Sequence, residues 1–338
     1  MNTTDVLDGV HHQQQVFGNR SADFLSSGMS GVINIFAVVI LFIIMISLGC
    51  TMEVSKIRAH LLKPKGVAIA IVAQFGIMPL TAFCLAKSLD MEPIKAVTVL
   101  ICGCCPGGTL SNAFSLAING DMNLSIVMTT CSSVAALGLM PLMLMLYCRG
   151  FPGLQEAVPY TGIIIALVLT LVPCGIGIAV KHYKPKYCGI ILNGGIVIMI
   201  ISAIVVFTLS ALSLGETIWL ILMPDLIVAA ALMPLIGYIL GYVLSLVCRL
   251  SHQCSRTVSM ETGCQNIQLS TTILKVAFPS QVIGPMFLFP LLLYISQWVE
   301  VILLILCYRC YQKLKGPAAA EPEIYKCVNQ DEVKRPQV

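Results

Sequence analysis

Ser259-Met-Glu-Thr-Gly-Cys-Gln-Asn266 sets a carboxylate, two amides and a glycine inside residues 257–278, a run read here as membrane-spanning. An ionisable group in a span costs at least about 2.5 kcal/mol and by default marks a substrate or ion path. Earlier in the chain, Cys104-Cys-Pro-Gly-Gly-Thr-Leu-Ser-Asn112 interrupts the apolar run 96–118 in a comparable way. Proline removes a backbone donor and glycine relaxes the chain, so both stretches free carbonyls at membrane depth. Free carbonyls in lipid cost several kcal/mol each unless an ion, a water-lined cavity or protein satisfies them. Two broken helices with a carboxylate between them therefore predict an ion or solute path.

The remainder of the chain supplies the membrane context. Of 338 residues, 57% are hydrophobic and 11% charged, and mean hydropathy is +0.91. A globular protein carries roughly 25% charged residues, so an ordinary soluble protein is excluded. The net charge of +4 is small, and nothing supports nucleic-acid binding. Most of the fifteen cysteines fall in apolar runs, among them Cys50, Cys84, Cys131, Cys174 and Cys307, and are expected as buried thiols. Cys102, Cys104 and Cys105 have no histidine or second cysteine pair at zinc-ligand spacing.

Nine spans are expected, at about 29–51, 66–88, 96–118, 124–147, 160–180, 189–211, 225–247, 257–278 and 285–308. Residues 1–28 form a polar extracellular N-terminal segment, 29–308 the membrane domain and 309–338 a cytoplasmic tail, expected to be disordered from Gly316 onward. Basic residues divide unevenly. Lys56, Arg58, Lys63, Lys65, Lys181, Lys184, Lys186, Arg249, Arg256, Arg309, Lys313 and Lys315 fall on one side, against Arg20, Lys87, Lys95 and Arg149 on the other. The positive-inside rule then puts the N-terminus outside and the C-terminus in the cytoplasm. The sequons at Asn2 and Asn19 agree, as glycosylation sites of an exterior segment that also holds His11 and His12.

An internal repeat is expected as well. Phe75-Gly-Ile-Met-Pro-Leu-Thr-Ala-Phe83 has a counterpart about 155 residues later in Ala230-Ala-Leu-Met-Pro-Leu-Ile-Gly-Tyr238, and the same shift overlays the two interruptions. Met140-Pro-Leu and Phe289-Pro-Leu add a third match. Five spans precede the second copy, so the repeats would be inverted, the recurring plan of secondary transporters with discontinuous helices at the substrate site.

Neutral oxygen donors accompany the first break: Ser111 and Asn112 beside it, then Ser125, Thr129 and Thr130. Serine and threonine in spans also bond back to their own helix, which is the plain alternative for each. Glu261, beside Gly263, Gln265, Asn266 and Gln268, adds the carboxylate, and Gln74 in the second span can reach the same point. Carboxylate, amide and hydroxyl oxygens suit a small hard monovalent cation. Sodium fits, and a proton is the alternative. Glu300 and Lys275, nearer the ends of their runs, are weaker candidates, and Asp225 after Pro224 is expected as a helix N-cap.

Other classes fit less well. No Gly-x-x-x-x-Gly-Lys-Ser/Thr motif supports a P-loop motor. No aspartate pair supports an intramembrane protease, so no catalytic residues are assigned and an enzyme is not expected. A seven-helix receptor does not explain nine spans. A channel would use similar broken helices; channel and carrier differ in whether flux saturates and whether a coupled ion can build a solute gradient.

Ser47-Leu-Gly-Cys-Thr-Met-Glu53, Gln74-Phe-Gly-Ile-Met-Pro-Leu80, Cys102-Gly-Cys-Cys-Pro-Gly-Gly108, Gly120-Asp-Met-Asn-Leu-Ser-Ile-Val-Met-Thr-Thr-Cys131 and Glu261-Thr-Gly-Cys-Gln-Asn266 together resemble the sodium/bile acid cotransporter family over nearly the whole apolar length. Lys63-Pro-Lys-Gly66, Ser259-Met-Glu-Thr-Gly263 and Val282-Ile-Gly-Pro285 look closer to its liver-type member than to the ileal or steroid sulfate types. The resemblance implies a core domain (spans 2–4 and 7–9) and a panel domain (spans 1, 5 and 6), with substrate between them. It implies one sodium site at Ser111, Asn112, Ser125, Thr129 and Glu261. A second would use Gln74, Glu261 and Gln265 with backbone oxygens of Thr262 and Cys264. Asn266 would face the bile acid, and Ser270 and Thr271, where relatives often read differently, would tune substrate preference. The implied function is sodium-coupled import of conjugated bile salts such as taurocholate across the plasma membrane, basolateral in a liver-type member, with Na+ as coupling ion and no organic cofactor. The rivals are a steroid sulfate carrier and a non-transporting receptor of the same fold. Membrane lipid and further copies of the chain are the expected partners.

Overall fold

The computed structural model describes residues 39–40, 42–47, 49–50, 65–108, 110–152, 158–195, 197–198, 201, 223–278, 286 and 289–315. Asn2, Asn19, the rest of the N-terminal segment, much of the first and sixth expected spans and the tail from Gly316 lie outside the described residues. Regular structure among the described residues is helical, with one isolated antiparallel bridge.

The helices are α1 (Lys65–Val72), continuing through a π turn at Ala73–Ile77 into α2 (Met78–Ser88), then α3 (Pro93–Cys104), α4 (Leu110–Ala117), α5 (Met122–Cys148) and α6 (Tyr160–Tyr183). After these come α7 (Pro224–Val247), α8 (His252–Gly263), α9 (Ile267–Ala277) and α10 (Phe289–Lys315). Among the described residues, five stretches are long and apolar enough to cross a membrane: Gly66–Ser88, Met122–Cys148, Tyr160–Tyr183, Pro224–Val247 and Phe289–Leu314. With the short pairs α3/α4 and α8/α9 between them, the chain is a multi-pass membrane protein.

Local chemistry sets the boundaries. Asp121 accepts from the N–H groups of Asn123 and Leu124 to cap α5, Ser251 accepts from Cys254 N–H to cap α8, and Asn266 accepts from Leu269 N–H to cap α9. Pro79 cannot donate to the carbonyl four residues back, and the widened π turn lies directly before it. Asp225 does not cap α7. Met223 holds the cap position because Pro224 opens the helix, and Asp225 sits in the first turn, where it pairs with Lys95 at 3.0 Å.

The two halves repeat at the level of elements. Lys65–Ser88 and Pro224–Val247, and Pro93–Cys104 and His252–Gly263, are offset by the same 159 residues at all four ends. The turn between them repeats too. Asp90 and Arg249 both adopt positive φ, 47° and 59°, and the N–H groups of Met91 and Leu250 return to Ala86 O and Ser245 O, each at 3.0 Å. The Met-Pro-Leu matches do not carry this register. Met78 and Met233 are 155 residues apart, four short of the offset and so about one helical turn out, and Met140 and Phe289 are 149 apart. Pro141 lies well inside α5, whereas Pro290 is the second residue of α10.

The packing centres on the breaks. α7 lies along α8, and Gly237 makes this possible: a β-carbon there would stand 2.8 Å from Gly263 Cα. A core including Met78, Leu100, Ile101, Met140, Leu167, Met233, Ile273 and Phe289 surrounds one side of the breaks. A second, with Val67, Leu124, Met128, Leu250 and Val258, closes one end. Cys50 and Cys174 are buried and Cys131 half-buried, but Cys84 and Cys307 are exposed on outward helix faces, since an apolar run has an outer side in lipid as well as an inner one.

Candidate functional site

The two breaks cross. Gly108 N–H donates to Cys264 O at 2.7 Å and Asn266 N–H to Pro106 O at 3.0 Å, which pairs Gly107 with Gln265 as an antiparallel bridge. Each break thus satisfies one freed carbonyl of the other. Four helix ends converge here: the C-termini of α3 and α8 and the N-termini of α4 and α9. The C-terminal ends present partial negative charge, which favours a cation.

Glu261 lies in the last turn of α8 and is 1% exposed. Its Oε2 accepts from the hydroxyls of Ser111 and Thr129, the latter at 3.0 Å. Ser125 Oγ lies 3.5 Å from Ser111 Oγ, and Asn112 Oδ1 lies 3.5 Å from Thr129 Oγ1. The structure therefore brings Ser111, Asn112, Ser125, Thr129 and Glu261 together from α4, α5 and α8. Thr130 turns back to Ile126 O at 2.7 Å.

Gln74 reaches the crossing from the π turn. Its Nε2 donates to Cys105 O at 2.8 Å and to Gln265 Oε1 at 2.9 Å, and Gln265 Nε2 donates to Thr262 O at 2.9 Å. Two buried acceptors, Glu261 Oε1 and Gln74 Oε1, have no donor. Unpaired oxygens in a water-poor interior are costly, and a small hard cation with oxygen preference satisfies both. On this ground the donor set fits sodium.

Asn266, at the start of α9, lines a cleft together with Pro106, Ser133 and Leu269 and with Met45, Leu167, Leu171 and Cys174. Ser270 is fully buried and bonds to Ile267 O at 3.0 Å, and Thr271 bonds to the same carbonyl at 2.8 Å. Neither lines the cleft. Glu300, expected near a helix end, is mid-helix because α10 continues to Lys315. Lys275 is in the last turn of α9.

The sequence reading missed Ser115, Tyr238 and Gln297. Ser115 Oγ donates to Ser125 Oγ at 3.4 Å, and its spacing of four from Ser111 places both on one face of α4, a signal that was available. Tyr238 bonds through its hydroxyl to Cys264 Sγ at 3.3 Å. Gln297 is a polar residue in an apolar run, and sequence alone does not say which side it faces.

Comparison with known proteins bears on this crossing. The model of the Sodium Bile acid symporter family matches residues 38–224, more than half of the chain. The hepatic sodium/bile acid cotransporter of Homo sapiens is 53% identical over 318 residues, covering 94% of this chain and 89% of that protein. The protein of the same name from Rattus norvegicus is 52% identical over 92% of this chain and 84% of its own length. The ileal sodium/bile acid cotransporter of Homo sapiens is 38% identical over 87% and 84%. These relatives run almost end to end along the chain, and the matched family region takes in the first of the two crossed breaks: the chain belongs to the sodium bile acid symporter family.

Proposed function

We propose that the chain is a sodium-coupled symporter that imports conjugated bile salts by alternating access. The observation that carries the reading is the pair of buried, donor-less oxygens, Glu261 Oε1 and Gln74 Oε1, at the crossing. One sodium ion binds among Ser111, Asn112, Ser125, Thr129 and Glu261. A second binds among Gln74, Glu261 and Gln265 with the carbonyls of Thr262 and Cys264. The relatives' names, which join sodium to bile acid, support this choice of ion and solute.

The repeated element order and its constant offset support inverted repeats. In that arrangement nine spans divide into a core (spans 2–4 and 7–9) and a panel (spans 1, 5 and 6) within residues 29–308. The steroid body of the bile salt lies on apolar wall between them, with its acidic tail near Asn266, while Ser270 and Thr271 act on preference from behind the wall. Sodium binding ties α4, α5 and α8 together and favours the form that accepts the anion; core then moves against panel. Two sodium ions with one monoanion carry net positive charge inward, so a negative interior drives uptake at about 2.3 kcal/mol per charge per 100 mV. The charge distribution supports an external N-terminus, glycosylated at Asn2 and Asn19, and a cytoplasmic tail 309–338 in a plasma-membrane protein.

Radiolabelled taurocholate uptake in cells expressing the chain tests the reading, with sodium and then choline as external cation. Saturable uptake lost in choline is the expected result. Uptake equal in both, or none with the protein at the surface, overturns it.

A further inference from the structure

One polar group lies outside the crossing and is unexplained by it. On α10, Phe289, Leu293, Gln297 and Val301 follow one another at a spacing of four, all with no exposed surface. Three are apolar. The fourth, Gln297, has neither Nε2 nor Oε1 partnered, and Oε2 of Glu300, three residues on, is also buried without a partner. Residues three apart on a helix are neighbours on one face. Among the described residues, no basic side chain pairs with Glu300.

The surroundings place this pair beside α7 and α9, next to the end of α8. Val301 packs in one cluster with Tyr238, Met260, Cys264 and Phe114. Glu300 interacts electrostatically with Tyr238 and with Cys264. Tyr238 keeps acceptor capacity beyond its contact with Cys264 Sγ. A carboxylate and an amide on one face of α10 thus lie beside the Tyr238–Cys264 contact at the second break. A water molecule would answer the amide, whereas only a cation also compensates Glu300 in its ionised form. A monovalent cation answers the charge and the oxygens together.

We propose that Gln297 and Glu300, with the Tyr238 hydroxyl, form an accessory site for a hard monovalent cation of the sodium class, separate from the crossing. The site goes beyond the two ions of the transport reading and rests on that reading only for the choice of probe. An ion there would bear on α8 and the loop between α8 and α9 through Cys264, whose carbonyl receives Gly108 N–H.

The test is the unfolding temperature of purified protein in nanodiscs, in sodium chloride against choline chloride at equal ionic strength. In Glu261→Gln, which disables the crossing, a sodium-dependent rise of about 2 °C or more is expected to persist. It should vanish in Glu261→Gln combined with Glu300→Gln. Should Glu261→Gln fail to fold, Gln297→Leu in the natural background answers the same question. It restores the apolar stripe, so its unfolding temperature without sodium should be equal or higher while the sodium-dependent rise shrinks. Absence of a sodium effect in Glu261→Gln, an effect that survives in the double variant, or a rise undiminished by Gln297→Leu overturns the proposal. Because the readout is binding, failure of taurocholate uptake in the natural protein would refute the transport reading without touching this one.

Discussion

Gly107 lies directly against the carboxylate of Glu261: a β-carbon built at 107 would overlap Oε1 and stand 2.7 Å from Cδ. The glycine of one break is therefore the wall that fixes the carboxylate of the other. Gly107→Ala must push the carboxylate away or part the bridge to Gln265. Displacing a charged ligand from a hard ion by that clash is expected to cost about 1.4 kcal/mol or more, a tenfold loss of sodium affinity. The sodium concentration for half-maximal taurocholate uptake should rise about tenfold. An unchanged sodium dependence would show that the break tolerates a methyl group and that the carboxylate is not wall-fixed.

Glu261→Gln separates charge from shape. The amide fills the same volume and can still accept from Ser111 and Thr129, so the crossing should assemble and the protein reach the surface. Sodium-driven uptake should nonetheless be lost, because the neutral side chain no longer compensates a cation. Cell-surface labelling beside uptake in sodium and in choline decides it; retained sodium dependence would remove Glu261 from the ion path.

How far sequence reached is visible in these two residues. Glu261 stood out because a carboxylate in an apolar run needs a reason, and Pro106, Gly107 and Gly108 because they cannot continue a helix. That the two breaks bond to each other was not legible, since the backbone pairing of Gly107 with Gln265 depends on where the flanking helices put them. The repeat was sensed through Met-Pro-Leu but set one turn out of register. A proline marks where its own helix yields, as Pro79 does after a π turn, and not where an equivalent helix begins. Gln297 escaped notice because a single amide in a spanning run looks the same whether it faces lipid, core or cavity.

Asn266 has two separable tasks. Its backbone N–H holds Pro106 O, which any residue but proline can do, and its side chain caps α9 through Leu269 N–H at 3.0 Å. Asn266→Ala should cost about 1 kcal/mol of stability through the lost cap. Asn266→Ser should restore most of that. If Asn266 also faces the bile salt, the serine variant will keep the stability but raise the KM for taurocholate. A KM that recovers together with stability would confine the residue to capping.

The Lys95–Asp225 pair joins the starts of α3 and α7 at 3.0 Å, with side chains 14% and 21% exposed. Pairs that reach solvent contribute roughly 0.2–1 kcal/mol, so removing either charge should lower stability by no more than that. Exchanging the two, Lys95→Asp with Asp225→Lys, should recover most of the loss in a double-mutant cycle. A loss of several kcal/mol from either single change would mean that the site excludes water far more than the two exposures indicate.

Ser111 and Thr129 both donate to one oxygen of Glu261, from α4 and from α5. They share an acceptor, so their contributions cannot be independent. When Ser111→Ala removes one donor, Oε2 keeps Thr129, and the following Thr129→Val removes the second of these two hydroxyls. Sodium affinity, read from the sodium dependence of initial uptake rate, should then fall by more in the double variant than the two single losses predict. For groups in one hydrogen-bonded network the excess is about 0.5–3 kcal/mol. The valine replaces a hydroxyl by a methyl of similar volume, so α5 keeps its packing and the comparison reports on donors, not on a cavity. Additive losses would place the two hydroxyls on separate ligands and break the single-carboxylate geometry on which the first sodium site rests.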